Sequence, residues 1–193
     1  MAYNLKDVFY LGATHEYPHA DYNAANEQGN IPIDISAYVD PIAKGRQRGQ
    51  GLAVYKVHYQ VAGNSAGIPQ LAADEGMATF GLTVKPYGDS GDDSGELENG
   101  DLRPDSDLAI FLASFHSPAN YVAGGGYGVN GEVYLEPSTE VPYVCVRDTI
   151  FQIFQTGIAM SSADSMFISY RLECALVTLD TATLNQLLRT QTA

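Results

Sequence analysis

At 193 residues the chain is long enough for one well-formed core, and no shift in composition divides it. Its 10 Lys and Arg against 23 Asp and Glu give a formal charge of −13, which repels nucleic-acid phosphates and anionic membrane surfaces. Tyr (13), Phe (7), Gly (19) and Pro (9) without any Trp lean towards strands joined by turns, and no stretch approaches the roughly 18 apolar residues of a membrane span.

The N-terminal MAYNLKDVFYLGATHEY lacks a basic region followed by an apolar run, so it does not read as a signal peptide. Asp7 to Leu11 suits a first short strand, and residues 1–30 as a whole read as an extended arm or loop. Ile31 to Val39 alternates Ile31, Ile33 and Ile35 with Pro32, Asp34 and Ser36, a strand whose Pro32 favours its beginning or an edge. DPIAKGRQRGQG then breaks the run and carries Lys44, Arg46 and Arg48, the only tight basic group.

Leu52 to Val61 sets Tyr55, Val57, Tyr59 and Val61 against Val54, Lys56, His58 and Gln60, so one face is expected inside and the other wet. Met77 to Lys85 is the next strand, and Gly81 within it marks a bulge or a close backbone approach. Residues 89–107 hold eight carboxylates and one Arg, with almost nothing to bury, and read as an acidic loop. Asp107 to Phe115 is apolar enough to lie deep in a core, and a Gly-rich connection leads to a short strand at EVYLEP.

Tyr143 to Val146 and Thr149 to Thr156 follow as strands, the latter with an amphipathic helix from Asp148 to Met160 as the competing reading. The clearest pattern is Phe167 to Leu179. Ile168, Tyr170, Leu172, Cys174 and Leu176 alternate there with Ser169, Arg171 and Glu173, the mark of a long half-buried strand. Behind a cap at Asp180, Leu184, Leu187 and Leu188 have helical spacing, so 181–190 is a short C-terminal helix. Eight or nine strands without long intervening helices predict an all-β fold in which 1–193 is a single antiparallel two-sheet β-sandwich, with the strand number of a single jelly roll.

Chemistry-bearing constellations are few. Cys145 and Cys174 lie among apolar strand residues as small buried groups, and a disulfide between adjacent strands is the open alternative. His15, Glu16 and His19 offer metal ligands, but Pro18 opposes the helix on which such a pair would converge. Asp89, Asp92, Asp93, Glu96 and Asp101 are hard oxygen ligands that suit calcium, although Gly91 and Ser94 break the EF-hand order. Otherwise no cofactor is expected. No GxSxG, HExxH or GxxxxGK[ST] signature occurs, and GGGYG does not open a helix after a strand, so no catalytic residue is nominated and no enzyme is expected.

In layout the chain resembles the single jelly-roll capsid proteins of icosahedral viruses. The features are the extended segment before ISAYVDPIAKGRQRGQGLAVYKVHYQV, the many strands with variable loops, and the long late strand RLECALVTL. Many such capsids carry a basic N-terminal arm, whereas MAYNLKDVFYLGATHEYPHADYN is not basic. The comparison therefore tilts towards the small capsid proteins of membrane-containing archaeal and bacterial viruses. That resemblance implies a structural protein of the virion, self-associating into a large homo-oligomeric assembly with or without a second capsid protein, through edges, loops and Tyr-rich surfaces. On this reading the polar side of Phe167 to Leu179 meets solvent or a neighbouring subunit. Two alternatives stand beside it: a carbohydrate-binding or adhesin-like sandwich module assisted by calcium, and a cupin-type enzyme using His15, His19, His58 or His116.

Overall fold

Residues 6–17, 28–40, 48–63, 76–86, 103–117, 130–156 and 166–192 are described by the computed structural model. Alternation of apolar and polar residues organises them into two sheets. One holds β1 (Lys6–Tyr17), β9 (Met166–Asp180), β3 (Arg48–Gly63) and β7 (Tyr143–Cys145) in that spatial order. The other holds β2 (Gln28–Asp34), β8 (Thr149–Thr156), β4 (Gly76–Thr83), β5 (Ala109–Ser117) and β6 (Asn130–Leu135). The helix α1 (Thr181–Thr192) follows β9 directly.

Every ladder is antiparallel, and the pairings nest: β1 with β9, β2 with β8, β3 with β7 and β4 with β5. The chain is thus one long hairpin closed at β4 and β5. Rolling that hairpin adds the lateral ladders of β3 to β9 and β4 to β8, with β6 appended beside β5. This is the jelly roll, the double-sheet arrangement of capsid and lectin domains and of cupins. The amphipathic helix considered for 148–160 is displaced by β8, where Ile150, Gln152 and Phe154 point inward.

The two sheets share one core. Leu52, Val54, Val57, Ile168, Leu172 and Cys174 from the first meet Phe80, Leu82, Phe111, Ile150 and Phe154 from the second. Aromatic contacts tie the layers: Tyr59 packs on Phe80 and Phe111 with ring centroids 5.0 and 5.2 Å apart, and Tyr17 on Phe154 at 4.8 Å. Offset and edge-on geometries of this kind add to the burial of area itself.

Several expectations from sequence need correction. Residues 6–17 are a full strand paired to β9, not part of an arm, and β3 begins at Arg48, inside the expected break. In β3 the register shifts between Val54 and Lys56, so a bulge at Tyr55 reverses the alternation. Leu52 and Val54 before it, and Val57 and Tyr59 after it, therefore all face the core, which overturns the expected wet position of Val54. Ile35 to Val39 leaves the strand as a turn in which Asp34 Oδ1 accepts from the Ser36 N–H at 2.8 Å. Gly81 is a close approach: a Cβ there would lie 2.5 Å from the Phe111 carbonyl oxygen.

Candidate assembly surface

The outer face of the first sheet divides into a covered half and an open half. Ala175, Val177 and Leu179 of β9 bury on this face, with Ala53, Val144 and Val146, beneath Leu184, Leu187 and Leu188 of α1. The helix starts where expected, since Asp180 Oδ1 accepts from the Thr183 N–H at 2.8 Å. That bond holds the exposed Asp180 carboxyl below its ordinary range. It can lie close because β3 offers glycine beneath it: a Cβ on Gly49 would lie 2.6 Å from Leu184 Cδ2.

The far end of α1 closes a sheet edge. Gln191, 2% exposed, donates from Nε2 to the Val144 carbonyl at 2.7 Å and accepts at Oε1 from the Val146 N–H at 3.1 Å. One side-chain amide thus takes the place of a neighbouring strand along β7. Sequence reading ended the helix at 190, yet the spacing of Leu184, Leu187 and Leu188 extended by one turn leads to Gln191 on the same face.

The open half lies towards β1. Arg171 stacks over the Tyr10 ring, with its guanidinium carbon 3.9 Å from the centroid. His58 Nε2 lies 2.7 Å from Glu173 Oε1, and the Thr14 and Ser169 hydroxyls share a hydrogen bond of 2.9 Å. Lys56 and Gln60 are exposed beside them. Arg171 and Glu173 were legible as a polar face, but their partners are distant in sequence and carry no local signal. Val8 and Tyr10 at the sheet edge are 55% and 52% exposed, and Val133 and Tyr134 are exposed on β6. The jelly roll puts β1 and β6 on opposite lateral sides of the sandwich.

Of the remaining sequence candidates, those among the described residues do not converge. Asp89, Asp92, Asp93, Glu96 and Asp101 lie outside the described residues, as does His19. His15 sits on β1, stacks on Tyr170 with a centroid distance of 5.8 Å, and has its basicity lowered by burial. His58 is on β3, and His116 is on β5 opposite Met77 and Asn130. Among the described residues, no group of three or more His, Cys, Asp and Glu could hold a metal ion. Cys145 and Cys174 are free thiols in the core, and burial pushes both up, Cys174 to about 12. A small cavity between the sheets is lined by Tyr59, Phe80, Phe111, Gln152 and Tyr170 and has ≈ 10 Å³ of room, about the space of one water.

No model of a known protein family matches the chain, and no curated protein matches it. Among solved structures, human polyomavirus 12 VP1 in complex with 3'-sialyllactosamine aligns over 91% of this chain and 100% of its own, at 10% identity and a TM-score of 0.48. Lectin II from Ulex europaeus aligns over 92% of this chain and 94% of its own, at 12% identity and a TM-score of 0.22. The lectin UEA-II complexed with galactose gives the same values. At these scores the fold is assigned by strand order and register, and the likenesses carry no argument of their own.

Proposed function

We propose that this protein is a structural subunit that self-assembles side by side, a jelly-roll capsid protein of a virion. The observation that supports this reading is the pair of lateral sheet edges, β1 and β6, that carry exposed apolar residues on opposite sides of one sandwich. A unit with contact surfaces on both sides can join neighbours in series, and repeated modest contacts of this kind close into rings or shells. Tyr10 and Tyr134 are suited to such contacts because each offers exposed ring area, although the Tyr134 hydroxyl is already bonded to that of Ser114. The same reading gives the acidic segment with Asp89, Asp92, Asp93, Glu96 and Asp101 an accessory part, as calcium ligands that a chelator would strip.

The test is assembly state. Light scattering over a concentration series should show growth beyond the monomer, and negative-stain microscopy should show rings, tubes or shells. A chain that stays strictly monomeric at the highest soluble concentration overturns this function.

A further inference from the structure

Four strands end the two sheets, and three of them are poorly suited to pairing with a further strand. β2 carries Pro32, which has no N–H to offer, in the middle of its ladder. β7 has three residues, and Gln191 bonds to its backbone. β6 is six residues long and bears exposed Glu132. β1 is less defended: its exposed Glu16 lies towards one end and its register shift with β9 falls between Lys6 and Phe9, so the stretch from Phe9 to Thr14 is regular and uncharged. The strand is 12 residues long, holds no proline, has no charged residue from Val8 to Thr14, and its far edge pairs with no strand among the described residues. Exposed long edges of this kind are templates for another strand.

β1 also fits a copy of itself. From Phe9 to Tyr17 its register with β9 is unbroken. An antiparallel two-fold centred on Leu11 sets Val8 against Thr14 and Tyr10 against Gly12 of the second copy. Gly12 presents no side chain at the strand edge opposite Arg171, and a Cβ there would lie 2.6 Å from the Tyr170 carbonyl oxygen. Tyr10 of the second copy lies across that position, an aromatic ring laid over a glycine. Charge favours this face as well, because Lys56 and Arg171, with His58 beside them, balance Glu16 and Glu173 on a chain whose formal charge is −13. Two such chains repel least where each is locally neutral.

We infer that two copies of the chain pair through β1, antiparallel about Leu11, joining their four-stranded sheets into one continuous sheet. This rests on the self-assembly reading above and names the contact that begins it.

A charge-swap series on the full chain tests it, with association measured by multi-angle light scattering and sedimentation across concentration. Positions 8 and 14 are six residues apart, roughly 20 Å along one strand, and cannot meet within a chain. Val8→Lys with Thr14→Lys should weaken association about tenfold through like charges facing each other, while circular dichroism stays that of the parent. Val8→Lys with Thr14→Glu should restore it, because each lysine then faces a glutamate of the other copy. A parent that assembles while the double-lysine variant assembles equally well overturns the β1 contact and leaves self-assembly standing. Failure of the charge-swapped variant to recover overturns the register. A parent that never associates overturns both this contact and the proposed function.

Discussion

Gln191 and Gln152 are both 2% exposed, and the same substitution should move stability in opposite directions at the two positions. Gln191→Met keeps roughly the side-chain volume but removes two hydrogen bonds, leaving the Val146 N–H and the Val144 carbonyl without their partner at the edge of β7. Each buried backbone group orphaned in this way costs about 1–3 kcal/mol, so a loss of about 2–6 kcal/mol is expected, with the lower end applying if water reaches the frayed edge. At about 2–4 °C per kcal/mol for a domain of this size, that corresponds to a fall in Tm of about 4–24 °C. Gln152 presents the opposite situation. Its amide oxygen and nitrogen have no hydrogen-bond partner among the described residues, although Ile31 and Leu82 stand opposite it in the ladders. Gln152→Met should therefore leave stability unchanged or raise it, since an unpaired buried amide is replaced by an apolar side chain of similar shape. Urea unfolding of the unassembled chain, followed by far-ultraviolet dichroism and tyrosine fluorescence, measures both; the chain has no Trp to complicate the signal. If Gln191→Met shifts stability by less than about 0.5 kcal/mol, the amide is not holding the β7 edge. If Gln152→Met loses more than about 1 kcal/mol, its amide is already bonded, with a water in the adjoining cavity as the candidate.

Three further outcomes follow from the same packing. Gly81→Ala should destabilise by about 1–3 kcal/mol in equilibrium unfolding, because the added methyl meets the Phe111 carbonyl oxygen at 2.5 Å and Leu112 Cδ2 at 2.7 Å; a neutral result would mean that β4 and β5 can separate without cost. Cys145 and Cys174 should resist a thiol reagent at neutral pH and react fully only in denaturant, since both are buried with raised thiol pKa, Cys174 to about 12; rapid labelling of folded protein would show that the core opens. Hydrogen bonds from the Ser36 hydroxyl and amide hold Asp34, and one from the Thr183 amide holds Asp180, below the ordinary carboxylate value of 3.8. Their contribution is complete above that value and is lost as pH falls through the depressed one, so Asp180→Asn should flatten the acid limb of a Tm against pH curve.

Local pattern exposed the fold wherever one strand face is wet. Ile168 to Cys174 alternate cleanly because Ser169, Arg171 and Glu173 face the open half of the sheet. The alternation loses its meaning after Cys174, where Ala175, Val177 and Leu179 are buried under α1 and Leu176 becomes 39% exposed. Spacing showed the helix but not the surface that it covers. The bulge at Tyr55 was hidden because Tyr55 continues the inward parity of Val57 and Tyr59 without a break, which put Val54 on the wet face although it is buried. In β1, Gly12, Thr14 and His15 dilute the apolar alternation, and a 12-residue strand reads as a five-residue one. The open surface was the least legible part. Tyr10 with Arg171, and His58 with Glu173, meet only through the ladders of β1 and β3 to β9.

The two ends of the first sheet are treated in opposite ways, and a single element accounts for it. α1 buries one half of the outer face and, through Gln191, occupies the backbone of β7 at that end. The other half has no such cover, and it is there that the sheet keeps its longest edge, its exposed Val8 and Tyr10 and its charge-balanced pairs. An uncapped edge left in place by chance would be an aggregation hazard, because any extended segment could add to it. Self-pairing restricts that hazard: a contact in which Tyr10 must cross Gly12 and Val8 must face Thr14 accepts one register and one orientation. Within the four-stranded sheet the helix thus closes the β7 end and leaves the β1 end as the one open to a further strand.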